Sequence, residues 1–243
     1  MPKIAKAYIA LVIASGTTIL LTAAGSWSSA NLRQFALYLG LSALASTLKV
    51  RIPGLEGTMS PNFVFLLLGT ATCSFSEVVA MSLICALVQS VWSTAKRPRF
   101  VQVAFSAAAL VVSSSLAYKL VHLLAAGSGV AASVACVIVA GSIYFPVNST
   151  LVSVIIALVG GESLGQVCQR CYQWVFPYFM GGIAFAGLVS GAYVPSAAWK
   201  GTAVLIPAIV LAHVYFRGRT VRHLPTPVRI SAGAEEYPVE VGR

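Results

Sequence analysis

The sequence predicts an all-α fold, a polytopic transmembrane helical bundle, and three observations carry that expectation. Hydrophobic residues make up 58% of the 243-residue chain and charged residues 9%, with a mean hydropathy of +0.87, where soluble domains carry about 25% charged residues. The apolar residues also fall in long runs, as a helix needs to close its own backbone hydrogen bonds across a ~30 Å hydrocarbon core. Finally, the basic residues sit between those runs and concentrate on one side of the membrane, the charge bias that orients bacterial membrane proteins.

Taken in order, the runs fall at 4–25, 32–48, 61–73, 77–93, 101–123, 130–159, 175–193 and 202–216, about eight spans. The first exceeds a signal-peptide core, lacks a small-residue cleavage site and precedes further spans, so it is read as retained. Placing both termini in the cytoplasm leaves only Arg33, Lys119 and Lys200 of the 16 basic residues outside. The expectation is a multi-pass protein of the bacterial inner membrane, with a membrane domain at 1–218 and a flexible cytoplasmic tail at 219–243 rich in proline, glycine and charge. Its first partner is the lipid bilayer. Because the charges flank spans and form no stripe with interleaved aromatics, a nucleic-acid partner is not expected.

Two runs have the wrong length for a simple crossing. The run at 61–73 reaches only about 20 Å at helical rise, which is short unless the bilayer thins or the preceding loop dips inward. The run at 130–159 reaches about 45 Å and contains Pro146, which removes a backbone bond and is expected to kink or break the helix. It is read as one broken crossing, since two crossings would put the termini on opposite sides.

The loop before the short run, Lys49-Val-Arg-Ile-Pro-Gly-Leu-Glu-Gly-Thr-Met-Ser-Pro-Asn-Phe63, holds the most distinctive chemistry. Pro53-Gly54 fits a type II turn, Ser60 suits an N-cap and Pro61 the first helical position. A helix N-terminus beside Lys49 and Arg51 would favour an anionic group; the same residues also read as a plain connector whose charges obey the topology rule. The break around Ser142 to Thr150 has similar ingredients, with Asn148, Ser149 or Thr150 available to freed backbone groups. Counted from Gly129, Pro146 lies about 25 Å deep, near the level of Ser60. Two interrupted helices at one depth point to a binding cavity.

The acids are all glutamate; there is no aspartate. That excludes aspartyl phosphorylation, Asp-bound magnesium and Ser-His-Asp triads, and no nucleophile has a recognisable base, so no enzyme is expected. Glu77 reads as a helix-start acid, with Ser76 as a cap. Glu162 is placed to pair with Arg170, and Glu56 either closes its loop on Arg51 or accepts a donor from a ligand. Cys168 and Cys171 form a C-x-x-C that lacks a partner pair, and the histidines are scattered, so neither a metal nor a cofactor is expected; at helical spacing the two thiols share a face and pack. In the aromatic run of Tyr172 to Phe179, Tyr172 and Trp174 suit an interfacial belt. Phe176, Tyr178 and Phe179 fit a belt or a pocket equally. The small residues Gly181, Gly182, Ala186 and Gly187 let helices approach closely. The residues expected to face a ligand are Arg51, Glu56, Thr58 and Asn62 from the loop, and Tyr144, Asn148 and Tyr178 from the later segments.

The segment Lys49 to Phe63, the run Lys-Arg-Pro-Arg-Phe-Val-Gln-Val-Ala-Phe at Lys96 to Phe105, the run Tyr-Phe-Pro-Val-Asn-Ser-Thr at Tyr144 to Thr150 and the run from Arg170 to Phe179 together resemble one family. It is the integral-membrane sensory region that bacterial signalling proteins carry ahead of HD-type phosphohydrolase or GGDEF domains. The resemblance covers about Leu32 to Phe216 and implies a module that senses a cue and passes a helix movement to its output. This sequence departs from the pattern, for after Phe216 it carries no HD pair, no GGDEF run and no heptad linker. The expectation is therefore a non-catalytic module that binds an unidentified small molecule and signals through a separate cytoplasmic or membrane protein partner. The alternative is a small-solute transporter or the substrate-capturing subunit of an importer; without a nucleotide-binding motif, a partner ATPase would have to supply the energy.

Overall fold

The computed structural model describes residues 1–29, 31–51, 58–92, 98–124 and 129–191, with the side chains of residues 51, 58, 173 and 174 left aside. The expected span at 202–216, the tail at 219–243 and Glu56 lie outside the described residues. Within them the elements run α1 (Lys3–Gly25), α2 (Leu32–Thr47), β1 (Val50–Arg51), β2 (Thr58–Met59), α3 (Phe63–Thr72), α4 (Phe75–Val91), α5 (Phe100–Leu124), α6 (Val130–Gly160) and α7 (Leu164–Gly191). The fold is helical apart from the two short strands, which pair antiparallel with Val50 opposite Met59 and Arg51 opposite Thr58.

Three of these helices, α1, α5 and α6, are long and apolar enough to cross a membrane, and α7 makes a fourth if its two arms are one span. Their surface pattern is compatible with a membrane location. On α1 the buried residues Ala5, Ile9, Val12, Gly16 and Ala23 recur at helical spacing, while Ile4, Leu11 and Leu21 on the other side are exposed. Such a helix turns small residues to its neighbour and leaves large apolar ones for lipid. At the crossing with α5, a Cβ on Gly16 would sit 2.6 Å from the Ala108 Cβ, so only glycine permits that approach.

The inversion of this pattern is α3. All of its residues from Phe63 to Thr70 are buried, and it packs against α2, α4, α5, α6 and α7. A helix apolar on every side is stable only inside a core, and ten residues give about 15 Å, so the short run is a central plug. Gly182 of α7 lets Phe63 lie against its backbone, where a Cβ would collide with the Phe63 ring.

Polar ties fix the two ends of the bundle. At one end Ser74 caps α4 in a capping box with Glu77: Glu77 N–H donates to Ser74 Oγ at 3.3 Å, and Ser74 N–H donates to Glu77 Oε2 at 2.8 Å. Ser29 Oγ donates to the other carboxylate oxygen at 2.5 Å, and Ser76 Oγ donates to the Ala23 carbonyl at 2.9 Å. Glu77 is thus a capping acid as expected, but the cap is Ser74, not Ser76, because the preceding residue holding extended φ and ψ is Ser74. At the other end the Lys49 ammonium donates to the Trp92 carbonyl, and Glu162 pairs with Arg170 across the α6–α7 turn.

Two expectations about helix continuity are corrected. The crossing at 130–159 is not broken: α6 runs unbroken through Pro146. Proline is tolerated within a helix when neighbours hold it, and here Phe145 is clasped by Tyr172, Phe176 and Phe179 at centroid distances of 5.0, 5.7 and 5.0 Å. The bend lies instead in α7, which begins at Leu164 rather than near Val175 and turns by 46° between its arms Leu164–Tyr172 and Val175–Gly191. Pro177 explains its position, since a proline displaces the carbonyl four residues earlier, that of Gln173.

Candidate functional site

The start of α3 departs from its expected capping. The residue at the cap position is Asn62, in helical conformation and with no side-chain cap bond, and the first turn closes through Val64 N–H to the Pro61 carbonyl at 3.2 Å. Ser60 is therefore not the N-cap. Its side chain is 4% exposed and its hydroxyl has no hydrogen-bond partner.

Asn62 turns inward instead. It is 3% exposed and donates from Nδ2 to Ser46 Oγ of α2 at 3.0 Å and to Gln89 Oε1 of α4 at 3.4 Å. Ser46 in turn donates to the Ser42 carbonyl at 2.8 Å, and the Cys85 thiol faces Ser42, Ser46 and Asn62. One amide thus joins three helices through a buried polar cluster.

Beside that cluster lies a cavity of about 90 Å³. Met59, Ser60, Asn62 and Phe63 form one wall, and Gln89 and Leu110 contribute from α4 and α5. The facing wall is Tyr144, Asn148, Ser149 and Val152 of α6, with Cys171, Val175 and Phe179 of α7. Asn148 Oδ1 is buried without a partner, like the Ser60 hydroxyl. Phe179 stacks on Phe63 at 4.1 Å and on Tyr144 at 6.0 Å, which gives the cavity an aromatic floor.

Of the residues expected to face a ligand, Asn62, Tyr144 and Asn148 come together here. Tyr178 does not: it is buried against Phe63 at 5.7 Å, one position away from the lining residue Phe179. Its neighbour Phe176 is exposed, as a lipid-facing residue is. Arg51 and Thr58 are placed opposite each other in the strand pair, with their side chains among those left aside, and Glu56 lies outside the described residues. The expected meeting of two irregular segments becomes a meeting of one irregular segment with side chains of an intact helix.

Ser60, Gln89, Ser149 and Cys171 were not among the residues expected to face a ligand, and Phe179, which fitted a belt or a pocket equally, lines the cavity. Gln89 carried a usable signal as the one side-chain amide in the apolar run of α4. Cys171 carried only its C-x-x-C spacing with Cys168, and two thiols sharing a helix face read as packing.

The cavity is chemically neutral. No charged side chain is among its described lining residues, and no group of three potential metal ligands occurs among the described residues. Lys49 has its pKa drawn below the usual ammonium range by burial and spends its charge on the Trp92 carbonyl, and Arg170, next to the lining residue Cys171, is paired with Glu162. What the site offers is directed hydrogen bonding and an aromatic surface.

Comparison of the chain with protein-family models, with curated proteins and with solved structures finds no match.

Proposed function

We propose that this chain is a non-catalytic module of the bacterial inner membrane that binds a small molecule between α3 and α6 and signals through a separate cytoplasmic or membrane protein partner. The observation that carries the reading is the pair of buried, unpartnered polar atoms, Ser60 Oγ and Asn148 Oδ1, lining one cavity. Leaving such atoms unsatisfied costs about 1–3 kcal/mol each, so a cavity that presents two is suited to a solute or water that completes them. The resemblance to bacterial membrane sensory regions agrees with this, since its segments contribute Met59, Ser60 and Asn62, then Tyr144 and Asn148, then Cys171 and Phe179.

A signalling role is supported by the bend in α7. Cys171 lies on its first arm, Val175 and Phe179 on its second, and all three line the cavity. An occupant that touches both arms favours one bend angle over others, and a ligand shifts an equilibrium by its differential contacts with the two states. The full architecture in this reading has about eight spans with both termini cytoplasmic. The Ser74–Glu77 cluster then marks the outer layer, Lys49 and the Glu162–Arg170 pair mark the inner one, and α3 connects them.

The test is a thermal-shift screen of metabolites on the purified full chain, repeated with Asn62→Ala and Asn148→Leu. A hit that stabilises the parent and loses its effect in both variants supports the reading. Hits that stabilise all three proteins equally refute it. Uptake of the hit by proteoliposomes holding the chain with a partner ATPase reassigns the module to an importer.

A further inference from the structure

We infer that the cavity takes a small uncharged solute bearing a carbonyl and an N–H group, a primary amide or urea, with its oxygen at Ser60 and its nitrogen toward Asn148. The inference rests on the proposed binding role and names the chemistry of its ligand. Asn148 Oδ1 is an acceptor without a donor, so the occupant must donate there. The Ser60 hydroxyl lies buried just ahead of α3, whose N-terminal dipole favours the negative end of a ligand dipole. An oxygen at that end and an N–H at the other is the polarity of an amide.

Charge and size narrow the class. A carboxylate would enter a hollow with no cationic side chain among its described lining residues, and an unpaired ion in a desolvated site is strongly disfavoured. A purely apolar molecule would leave both polar atoms unsatisfied. An apolar cavity of roughly 150 Å³ holds benzene, so about 90 Å³ suits a solute of roughly four non-hydrogen atoms. A ligand of that size reaches a Kd of about 40 µM at best.

Acetamide is the direct probe, with acetate as its anionic and acetone as its donorless counterpart. Equilibrium dialysis of labelled acetamide against the full chain in detergent micelles is expected to give saturable binding of one molecule per chain. Acetate and acetone should each bind at least about tenfold more weakly, since each lacks one required feature. Asn148→Leu should abolish acetamide binding. Ser60→Ala, which removes one exposed-to-cavity hydroxyl and nothing else, should weaken it severalfold while the gel-filtration profile stays that of the parent. Acetate binding as tightly as acetamide, or acetamide binding equally to parent and both variants, overturns the inference. If the metabolite screen yields a hit of other chemistry that depends on Asn148, the cavity stands and the amide class falls. If no solute binds in either experiment, both fall and the hollow holds water alone.

Discussion

Asn62 shows how one residue can serve both fold and site. Its amide holds Ser46 and Gln89 on two other helices, and truncating it removes both of those bonds. Asn62→Ala is therefore expected to destabilise the chain by about 1–3 kcal/mol, measured by reversible unfolding in mixed micelles. Glu77→Ala should cost a similar amount, because it removes the capping box and the Ser29 tie together; a loss below about 0.5 kcal/mol would show that the buried carboxylate is not holding that end. Gly182→Ala should destabilise by about 1–3 kcal/mol through its collision with Phe63. Gly181→Ala is the control, for a Cβ there meets nothing within 4 Å. At this scale the sequence was legible where residue type restricts partners. Glu162 with Arg170 and an acid at the head of α4 followed from charge and position alone. Ser60 was misread because capping depends on which backbone turn closes first, and that was settled by the inward rotation of Asn62.

The helices themselves were largely legible, since a backbone in hydrocarbon has few alternatives to an unbroken helix. The runs at 4–25, 32–48, 101–123 and 130–159 correspond closely to α1, α2, α5 and α6. The short run at 61–73 is the short α3, and what periodicity could not disclose is that it is buried on every side from Phe63 to Thr70. The breaks were less readable. Pro146 and Pro177 look alike in sequence, yet α6 stays continuous and α7 bends; Pro146 is half-buried within the bundle and Pro177 is exposed. Also hidden was the start of α7, since Leu164 to Tyr172 mixes polar and apolar residues. Pro177→Ala restores the missing backbone bond and removes the clash. It is expected to straighten α7, shift Cys171 on the first arm relative to Val175 and Phe179 on the second and weaken any ligand that needs both arms, while leaving helical circular dichroism unchanged or slightly raised. Equal affinity in the variant would separate the bend from binding.

Among the described residues, the molecule as a whole joins a shell of apolar helices compatible with a membrane, a central plug and a neutral hollow beside the plug's start. Three of the thirteen residues lining that hollow were foreseeable: Asn62, Tyr144 and Asn148 were singled out because polar residues near a proline in apolar runs are rarely idle. Cys171 was not, and Phe179 read equally as belt or pocket, because only the packing of α7 against α3 and α6 brings them to the same wall. That wall also supplies the most direct test. Iodoacetamide is small, neutral and an amide, so it should reach Cys171 through the hollow and not Cys85, which is enclosed by the core. Peptide mass spectrometry of the full chain after timed exposure in micelles is expected to show Cys171 alkylated at least about tenfold faster than Cys85, as access to a thiol governs its modification, and Val152→Trp should close that difference by filling the space. Equal rates at the two thiols in the parent chain would mean that no hollow joins α3 to α6, and would contradict the account at its centre.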